Sequence, residues 1–258
     1  MNWKQLISAK RFGMEEFHEE RQENRSEFQR DYDRLIFSAP FRRLQNKTQV
    51  FPLPGSVFVH NRLTHSLEVA SVGRSLGDDV AKALLERHPE LQDSFLPEIG
   101  SIVSAACLAH DLGNPPFGHS GEKAISTFFS EGKGVRLKEK QPNGEQLSPM
   151  EWEDLIHFEG NANAFRILTH QFEGRRKGGF VLTYTTLASI VKYPFSSSLA
   201  GTKSKFGFFV SEEESFRKIA TELGLILLNE HPLKYARHPL VYLVEAADDI
   251  CYQMMDIE

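Results

Sequence analysis

Histidine and aspartate residues occupy helical faces that are otherwise apolar. His65 shares one face with three apolar residues that follow at spacings of 4, 3 and 4 residues, namely Val69, Val72 and Leu76. His110 lies on the same face as Val103 and Cys107, at spacings of 4 and 3 residues, and Asp111 follows it directly. Both imidazoles are therefore expected to point inward.

A third such face lies close to the carboxyl end of the sequence. Its members, spaced 3, 4, 4 and 3 residues apart, are Val241, Val244, Asp248, Tyr252 and Met255. Asp249 is rotated away from this face towards Tyr242 and Glu245, which form a more polar flank. Periodicity therefore favours Asp248 over Asp249 as the inward carboxylate.

Inward imidazoles and carboxylates on three helices can be interpreted in two ways. An isolated ionised carboxylate in an apolar interior is very costly, so it pairs, binds a metal or becomes neutral. Imidazole with carboxylate suits a first-row transition ion, and carboxylate with water also suits Mg²⁺. Alternatively, each histidine is a hydrogen-bonded core residue, and Asp248 caps a helix or pairs with a buried arginine. The residue pattern alone leaves both interpretations open.

The elements that must position these residues are predicted to be mainly helical. Most segments show the 3.6-residue period, which predicts helices over about 61–87, 101–110, 119–130, 152–172, 212–222 and 239–258. Residues 131–150 and 194–207 are predicted loops, the first with a short hairpin as an alternative, and 180–191 suits either a strand or a helix start. The charged segment 1–35, with mixed signs from Glu15 to Arg34, indicates an exposed or partner-packed helix.

Composition excludes several classes of protein. The 258 residues carry 30 basic and 35 acidic side chains, a net charge of −5, with 40% hydrophobic and 25% charged residues, which is typical of a globular protein rather than a disordered or collagen-like chain. The two cysteines form no CxxC pair, which excludes a cysteine-rich zinc module. The sequence has neither an apolar signal core at its start nor a membrane-spanning stretch, so we expect a cytoplasmic protein.

The ordered set His65, His110-Asp111 and Asp248 resembles the signature of HD-domain phosphohydrolases. The surrounding sequence resembles, more specifically, the deoxyguanosine-triphosphate triphosphohydrolase (dGTPase) family. The strings that carry this resemblance, in the family's order, are 41–51 (FRRLQNKTQVF), 62–68 (RLTHSLE), 110–119 (HDLGNPPFGH), 158–162 (FEGNA), 191–194 (VKYP) and 245–252 (EAADDICY). The resemblance implies a helical HD-domain bundle with a few short strands or hairpins in its loops.

The resemblance also implies a reaction and its machinery. Family members cleave a deoxynucleoside triphosphate (dNTP) at the α-phosphate and release the nucleoside and intact triphosphate. The implied ligands of one divalent metal ion, Mg²⁺, Mn²⁺ or another transition ion, are His65, His110, Asp111 and Asp248. His119 and Glu122 match the catalytic pair, and their i, i+3 spacing would let Glu122 support His119 as an imidazolium that protonates the leaving oxygen. Without the resemblance, this pair suits a surface salt bridge.

Further residues match the positions that bind substrate in the family. The implied phosphate ligands are Arg62, Lys192, Tyr193 and Lys205, although Lys203 competes with Lys205 for this role. The implied sugar contacts are Gln49, Tyr252 and Asp256. Each charged side chain could instead be a solvated surface charge, and Tyr252 could instead belong to the core.

The chain also departs from the family at its carboxyl end. Family members usually continue well beyond the Asp248 helix, whereas this sequence ends at Glu258, which indicates a fragment or a shortened form of one HD-type domain spanning 1–258. We expect an exposed apolar edge near Met254, Met255 and Ile257.

The predicted substrate is dGTP or another dNTP. The resemblance implies a homo-oligomer, a dimer or a hexamer, with single-stranded DNA or a dNTP as an effector and no membrane partner. Two alternatives remain, another HD-domain nucleotide phosphohydrolase and a nucleotide- or DNA-binding module without turnover. In the second, the basic run Arg175-Arg176-Lys177 would contact single-stranded DNA.

Overall fold

The computed structural model describes residues 2–16, 25–48, 61–139, 145–174, 177–201 and 204–255. The predicted mainly α fold is confirmed. In chain order the helices are α1 (Trp3–Leu6), α2 (Glu27–Ile36), α3 (Ala39–Arg43), α4 (Arg62–Arg87), α5 (Ile99–Ala109), α6 (His119–Ser130), α7 (Pro149–Ile156), α8 (Gly160–Thr169), α9 (Tyr184–Ile190), α10 (Glu213–Glu222) and α11 (Val241–Met255). The strands β1 (Leu227–Asn229) and β2 (Lys234–Tyr235) pair as an antiparallel hairpin.

Helices α4 and α5 pack against each other through glycine. A Cβ atom on Gly77 would lie 2.7 Å from the Cα of Gly100, which is closer than real Cβ contacts. Helix α5 is buried along almost its whole length, so it forms the centre of the core. This close approach sets the distance between the helix that carries His65 and the chain that carries His110.

Helix α11 completes the three-helix centre. Val244 and Ala247 are buried, and a Cβ on Gly73 of α4 would lie 3.6 Å from the Cβ of Ala247. Asp248 follows Ala247 directly and is therefore brought to the same junction. The predicted apolar faces of these three helices meet here and position the inward polar residues.

The charged segment near the amino end differs from its prediction. Helix α2 begins at Glu27, where the Ser26 hydroxyl accepts a hydrogen bond from the Gln29 amide, and Phe28 and Leu35 are fully buried. The prediction of an exposed or partner-packed helix is thus wrong for 27–36, because this helix packs against α5 of its own chain. Its buried Asp31 pairs with Arg11 at 2.7 Å; residues 17–24 lie outside the described part.

Other segments differ from their predictions in where helices begin and end. The helix expected over 152–172 is divided into α7 and α8, because Glu159 adopts an extended conformation and caps α8 by accepting from the amides of Asn161 and Ala162. The ambiguous segment 180–191 becomes helix α9, which begins after the capping side chain of Thr183. In the predicted loop 131–150, a 3₁₀ helix spans Lys133–Lys138, and 140–144 lie outside the described residues.

Among the described helices, none is both long enough and apolar enough to cross a membrane.

The glycine contact between α4 and α5 can be tested by substitution. We expect Gly77→Val to lower the free energy of unfolding by about 1–3 kcal/mol, because the new side chain would meet the backbone of Gly100. Ser75→Val, on the exposed side of the same helix, is the matched control and should change it by less than about 0.5 kcal/mol. Urea denaturation measures both, and equal effects would show that the contact is not restrictive.

Candidate metal centre and its surroundings

Four predicted metal ligands come together where α4, α5 and α11 meet. His65 lies in the first turns of α4, whose start is fixed by the Asn61 side chain accepting from the amides of Leu63 and Thr64. His110 and Asp111 directly follow the last residue of α5. Asp248 lies near the middle of α11. The side chains therefore approach one another from three separate elements.

The donor atoms of this cluster are close to one another. One donor atom from each of His65, His110 and Asp111 lies within 4.8 Å of the others. The Oδ1 atom of Asp248 is 2.9 Å from Nε2 of His65 and 3.5 Å from Nε2 of His110. The Asp111 Oδ1 atom is 3.7 Å from the same His110 nitrogen. Two carboxylates thus face the ε-nitrogens of two imidazoles.

His110 is oriented by the end of its own helix. Its Nδ1–H donates to the Cys107 carbonyl at 2.6 Å, so Nε2 carries the lone pair in the neutral ring. This Nε2 atom is buried and has no hydrogen-bond partner among the described residues, and the same holds for Nδ1 of His65. Buried polar atoms without partners are uncommon in native proteins, so these two indicate that a ligand belongs at the cluster.

The electrostatics of the cluster also favour a cation. Burial disfavours the charged form of His110, but Asp111 and Asp248 outweigh that effect and raise the pKa of His110 to about 9. Burial likewise disfavours the Asp248 carboxylate, yet the neighbouring imidazoles of His110 and His65 hold its pKa well below the usual range. A field that attracts a proton this strongly also attracts a metal ion.

The carboxylate of Asp111 is fixed by two further residues. Its Oδ2 accepts a hydrogen bond from Nη1 of Arg62 at 2.6 Å, in a pair whose side chains are only 4% and 7% exposed. Its Oδ1 accepts from the side-chain amide of Asn114. Such contacts hold metal ligands in place in known sites. Arg62, a predicted phosphate ligand, is therefore already bound to a member of the cluster.

These donors fit a divalent metal ion. Two imidazoles and two carboxylates, supplied by His65, His110, Asp111 and Asp248, are a suitable set for a first-row transition ion and acceptable for Mg²⁺ with water. Asp249, by contrast, is exposed, as the periodicity predicted. The His65 and His110 rings also contact each other edge to face, with centroids 5.5 Å apart.

Tyr252 lies next to this cluster, as one further helical turn predicts. Its ring centroid is 4.8 Å from that of His65, and its side chain is 40% exposed. Burial, followed by the charges of Asp111 and Asp248, raises its pKa to about 12, so the phenol stays neutral and can donate. It is thus a partly exposed wall of the cluster rather than a core residue.

His119 stands at the start of α6, after an unusual turn. Phe117 has φ of 66°, a left-handed conformation that bulky side chains rarely adopt, and its amide donates to the Thr48 carbonyl at 3.2 Å. Strain of this kind concentrates at functional sites. The imidazole of His119 is exposed and makes no hydrogen bond or ion pair with other described residues.

Glu122 does not support His119 in this structure. Its Oε1 accepts from the Gly160 amide at 2.9 Å, and its Oε2 is 3.5 Å from the ammonium of Lys205. The expectation that Glu122 orients the imidazolium is therefore not met, because its carboxylate instead joins α6 to the start of α8. Whether His119 is the general acid stays a prediction.

Lys205 binds two carboxylates. Its ammonium donates to Oε1 of the fully buried Glu159 at 2.8 Å and approaches Glu122. Burial disfavours the ammonium, but Glu159 outweighs this and raises the pKa of Lys205. This predicted phosphate ligand is thus fixed in a group with more anions than cations. Its competitor, Lys203, lies outside the described residues.

Comparison with known proteins bears on this geometry. A family model described as "HD domain" matches residues 62–177. The chain contains an HD domain. His65, His110 and Asp111 fall within the matched range, and Asp248 joins them from α11.

Several related proteins match the chain over its full length. A "deoxyguanosinetriphosphate triphosphohydrolase-like protein" of Synechocystis sp. is 46% identical over 267 residues, which cover 100% of this chain and 59% of that protein. A protein of the same name from Pseudomonas aeruginosa is 47% identical over 266 residues, covering 100% and 57%. A "deoxyguanosinetriphosphate triphosphohydrolase" of Yersinia enterocolitica is 37% identical over 292 residues, covering 100% and 54%.

The predicted resemblance to the dGTPase family is therefore confirmed. The chain spans somewhat more than half the length of these relatives.

Lys192 and Tyr193 of this HD-domain protein lie beside α11. The Lys192 ammonium is 2.9 Å from Oε1 of Glu245 and 5.8 Å from the centre of the Tyr193 ring. Burial disfavours the charged form of Lys192, but the interactions with Glu245 outweigh burial and raise the pKa of Lys192. The charge of Asp248 raises this pKa further. The predicted phosphate ligand thus lies within electrostatic reach of the metal cluster.

Sequence reasoning missed several residues of this site. Arg237 lies over the ring of the predicted Tyr193 and pairs with Glu245. Lys47 donates to the carbonyls of Leu112 and Asn114 at 3.2 and 2.9 Å. A charge one helical turn before Asp248 could have indicated Glu245; nothing local indicated Arg237 or Lys47.

Some predicted residues cannot be placed. Gln49, Asp256 and Ile257 lie outside the described residues, as do Arg175 and Arg176 and the side chain of Met255. Met254, at the predicted apolar edge, is 59% exposed.

The metal site can be tested without an activity assay. We expect His110→Ala to lower the affinity for Mn²⁺ by about 100-fold or more, because it removes the buried Nε2 atom, which has no hydrogen-bond partner among the described residues. His88→Ala removes an exposed histidine that contacts Glu90 and is the matched control. Calorimetric titration with Mn²⁺ measures both, and equal affinities would exclude His110 from the ligand set.

Proposed function

We propose that this chain carries a metal-dependent phosphohydrolase site that acts on deoxynucleoside triphosphates, with dGTP preferred. Water attacks the α-phosphorus, the bond to the 5′-oxygen breaks, and the products are the deoxynucleoside and inorganic triphosphate. The observation that carries the proposal is the convergence of His65, His110, Asp111 and Asp248 around a buried imidazole nitrogen without a partner. The names of the relatives support the substrate class.

The metal ion would be held by those four side chains. When bound, it would polarise a phosphoryl oxygen and make water more acidic. Arg62 and Asn114 keep the Asp111 carboxylate in one orientation, and the Cys107 carbonyl keeps His110 in one tautomer. Neither contact depends on substrate, so the site is preorganised for phosphate.

The leaving 5′-oxygen requires a proton, which we assign to His119. The ring is exposed and unpaired among the described residues, so it can reach a bound ligand. Its backbone is fixed by the turn at Phe117 and by α6. We assign Glu122 a positioning role, because it joins the first turn of α6 to the Gly160 amide.

The substrate's charge and sugar have separate partners in this proposal. Lys192, Tyr193 and Lys205 contact the phosphates, and Arg62 contacts the α-phosphate while it holds Asp111. Tyr252, packed on His65, lies against the deoxyribose. Gln49 and Asp256 remain proposed contacts to the 3′-hydroxyl.

Product analysis tests the reaction. The protein is incubated with each dNTP or with GTP, in the presence of Mn²⁺ or Mg²⁺, and the products are separated by anion exchange. We expect deoxyguanosine and inorganic triphosphate, in greatest amount from dGTP. Formation of dGMP with pyrophosphate would contradict attack with loss of the 5′-oxygen, and binding without turnover would favour a nucleotide- or DNA-binding module.

Replacement of His119 tests the proton donor. We expect His119→Ala to lower kcat by about 10²–10⁴-fold, the usual contribution of a general acid, while Mn²⁺ and dGTP still bind. His88→Ala should leave kcat unchanged. Steady-state kinetics and calorimetry separate the two effects, and a kcat close to that of the unaltered protein would mean that another group donates the proton.

We further propose a homo-oligomer, a dimer or hexamer, in the cytoplasm, with single-stranded DNA or a dNTP as effector. Exposed apolar side chains support an oligomer; they include Ile226, Leu227, Leu228 and Tyr242. Sedimentation velocity with and without each effector measures the assembly, and a monomer under all conditions would exclude it.

A further inference from the structure

Glu245 is shared by two cations at the edge of the metal centre. Its Oε1 is 2.9 Å from the ammonium of Lys192, and its Oε2 accepts a hydrogen bond from Nη1 of Arg237 at 2.9 Å. Glu245 precedes Asp248 by three residues on α11, so the two side chains lie on neighbouring positions of one helix face. The pair of cations is therefore about one helical turn from a predicted metal ligand.

The guanidinium of Arg237 is held by two aromatic rings in addition to its hydrogen bond to Glu245. Its central carbon lies 5.6 Å from the ring centre of Tyr193 and 5.6 Å from that of Tyr242, within the range of cation–π contact. Only Nη1 is used, in the bond to Glu245. The Nε and Nη2 groups have no partner among the described residues, and the side chain is 30% exposed. Oriented donors are thus available to a ligand.

The balance of charge leaves an excess of positive charge at this pair. The Arg62 guanidinium is neutralised by Asp111, and Lys205 lies between two carboxylates, those of Glu159 and Glu122. In contrast, Lys192 and Arg237 share the single carboxylate of Glu245, which leaves one formal positive charge. A polyphosphate chain is strongly anionic, so the excess charge and unused donors of this pair meet its requirements.

We propose that Arg237 is a further phosphate-binding residue, which contacts the polyphosphate chain of the substrate together with Lys192. Glu245 is a positioning residue that holds both cations on the substrate side of α11. This inference rests on the proposed function for the identity of the substrate, but the binding of an inorganic polyphosphate tests it independently. An arginine suits the role because its planar group offers paired donors to phosphate oxygens.

Calorimetric titration of the protein with inorganic tripolyphosphate, in the presence of Mn²⁺, is the direct test. We expect Arg237→Gln to weaken binding by about 10- to 100-fold, the loss of one or two charge-assisted hydrogen bonds. Arg237→Lys keeps the charge and should recover part of the affinity. Arg25→Gln, which breaks an exposed pair with Asp33 on α2, is the matched control and should bind like the unaltered protein.

Deoxyguanosine, which has no phosphate, separates phosphate contact from a general disturbance of the site. Arg237→Gln should bind it as the unaltered protein does and, in kinetics with dGTP, should raise KM with little change in kcat. Equal weakening of deoxyguanosine and tripolyphosphate would overturn the proposal, as would unchanged tripolyphosphate binding or its absence from the unaltered protein. If tripolyphosphate binding depends on Arg237 but no dNTP is hydrolysed, the inference stands and the proposed reaction fails.

Discussion

The carboxylate of Asp248 between two imidazoles is the interaction on which the site depends. Asp248 contributes from α11, His65 from α4, and His110 from the end of α5, so one polar cluster connects the three central helices. Each of these groups would be costly to bury alone. Together they partly neutralise one another. The two imidazole nitrogens that remain without hydrogen-bond partners among the described residues indicate where a cation belongs.

The surrounding residues hold the side chains of this cluster in place. Asp111 is fixed by Arg62 and Asn114, while the Cys107 carbonyl sets the tautomer of His110. The glycine contact between α4 and α5 brings the backbones close enough for short side chains to meet. Farther from the cluster, carboxylates hold the lysines and arginines in defined positions. The site is therefore built from ion pairs whose partners come from different segments of the chain, which preorganises it before any ligand binds.

The sequence predicted the parts of this arrangement that depend on helical periodicity. The inward faces of His65, His110 and Asp248, and the outward face of Asp249, follow from a 3.6-residue repeat. The division at Glu159 and the partners of Glu122 and Arg237 do not, because they are set by contacts between distant segments. Glu122 is the clearest case: its spacing from His119 is correct for a pair, yet the Gly160 amide and Lys205 compete for the same carboxylate. The amphipathic helix α2 was misjudged because its buried charge, Asp31, is paired within the chain.

Pulsed electron paramagnetic resonance of Mn²⁺ bound to the protein tests the central claim most directly, because it detects nitrogen atoms coordinated to the metal. The account predicts one bound ion whose electron-spin echo is modulated by two imidazole nitrogens, with one of them lost in His65→Gln and the other in His110→Gln. An ion coordinated by oxygen alone, or an unchanged two-nitrogen modulation in both variants, would contradict the assignment of this cluster as the metal centre.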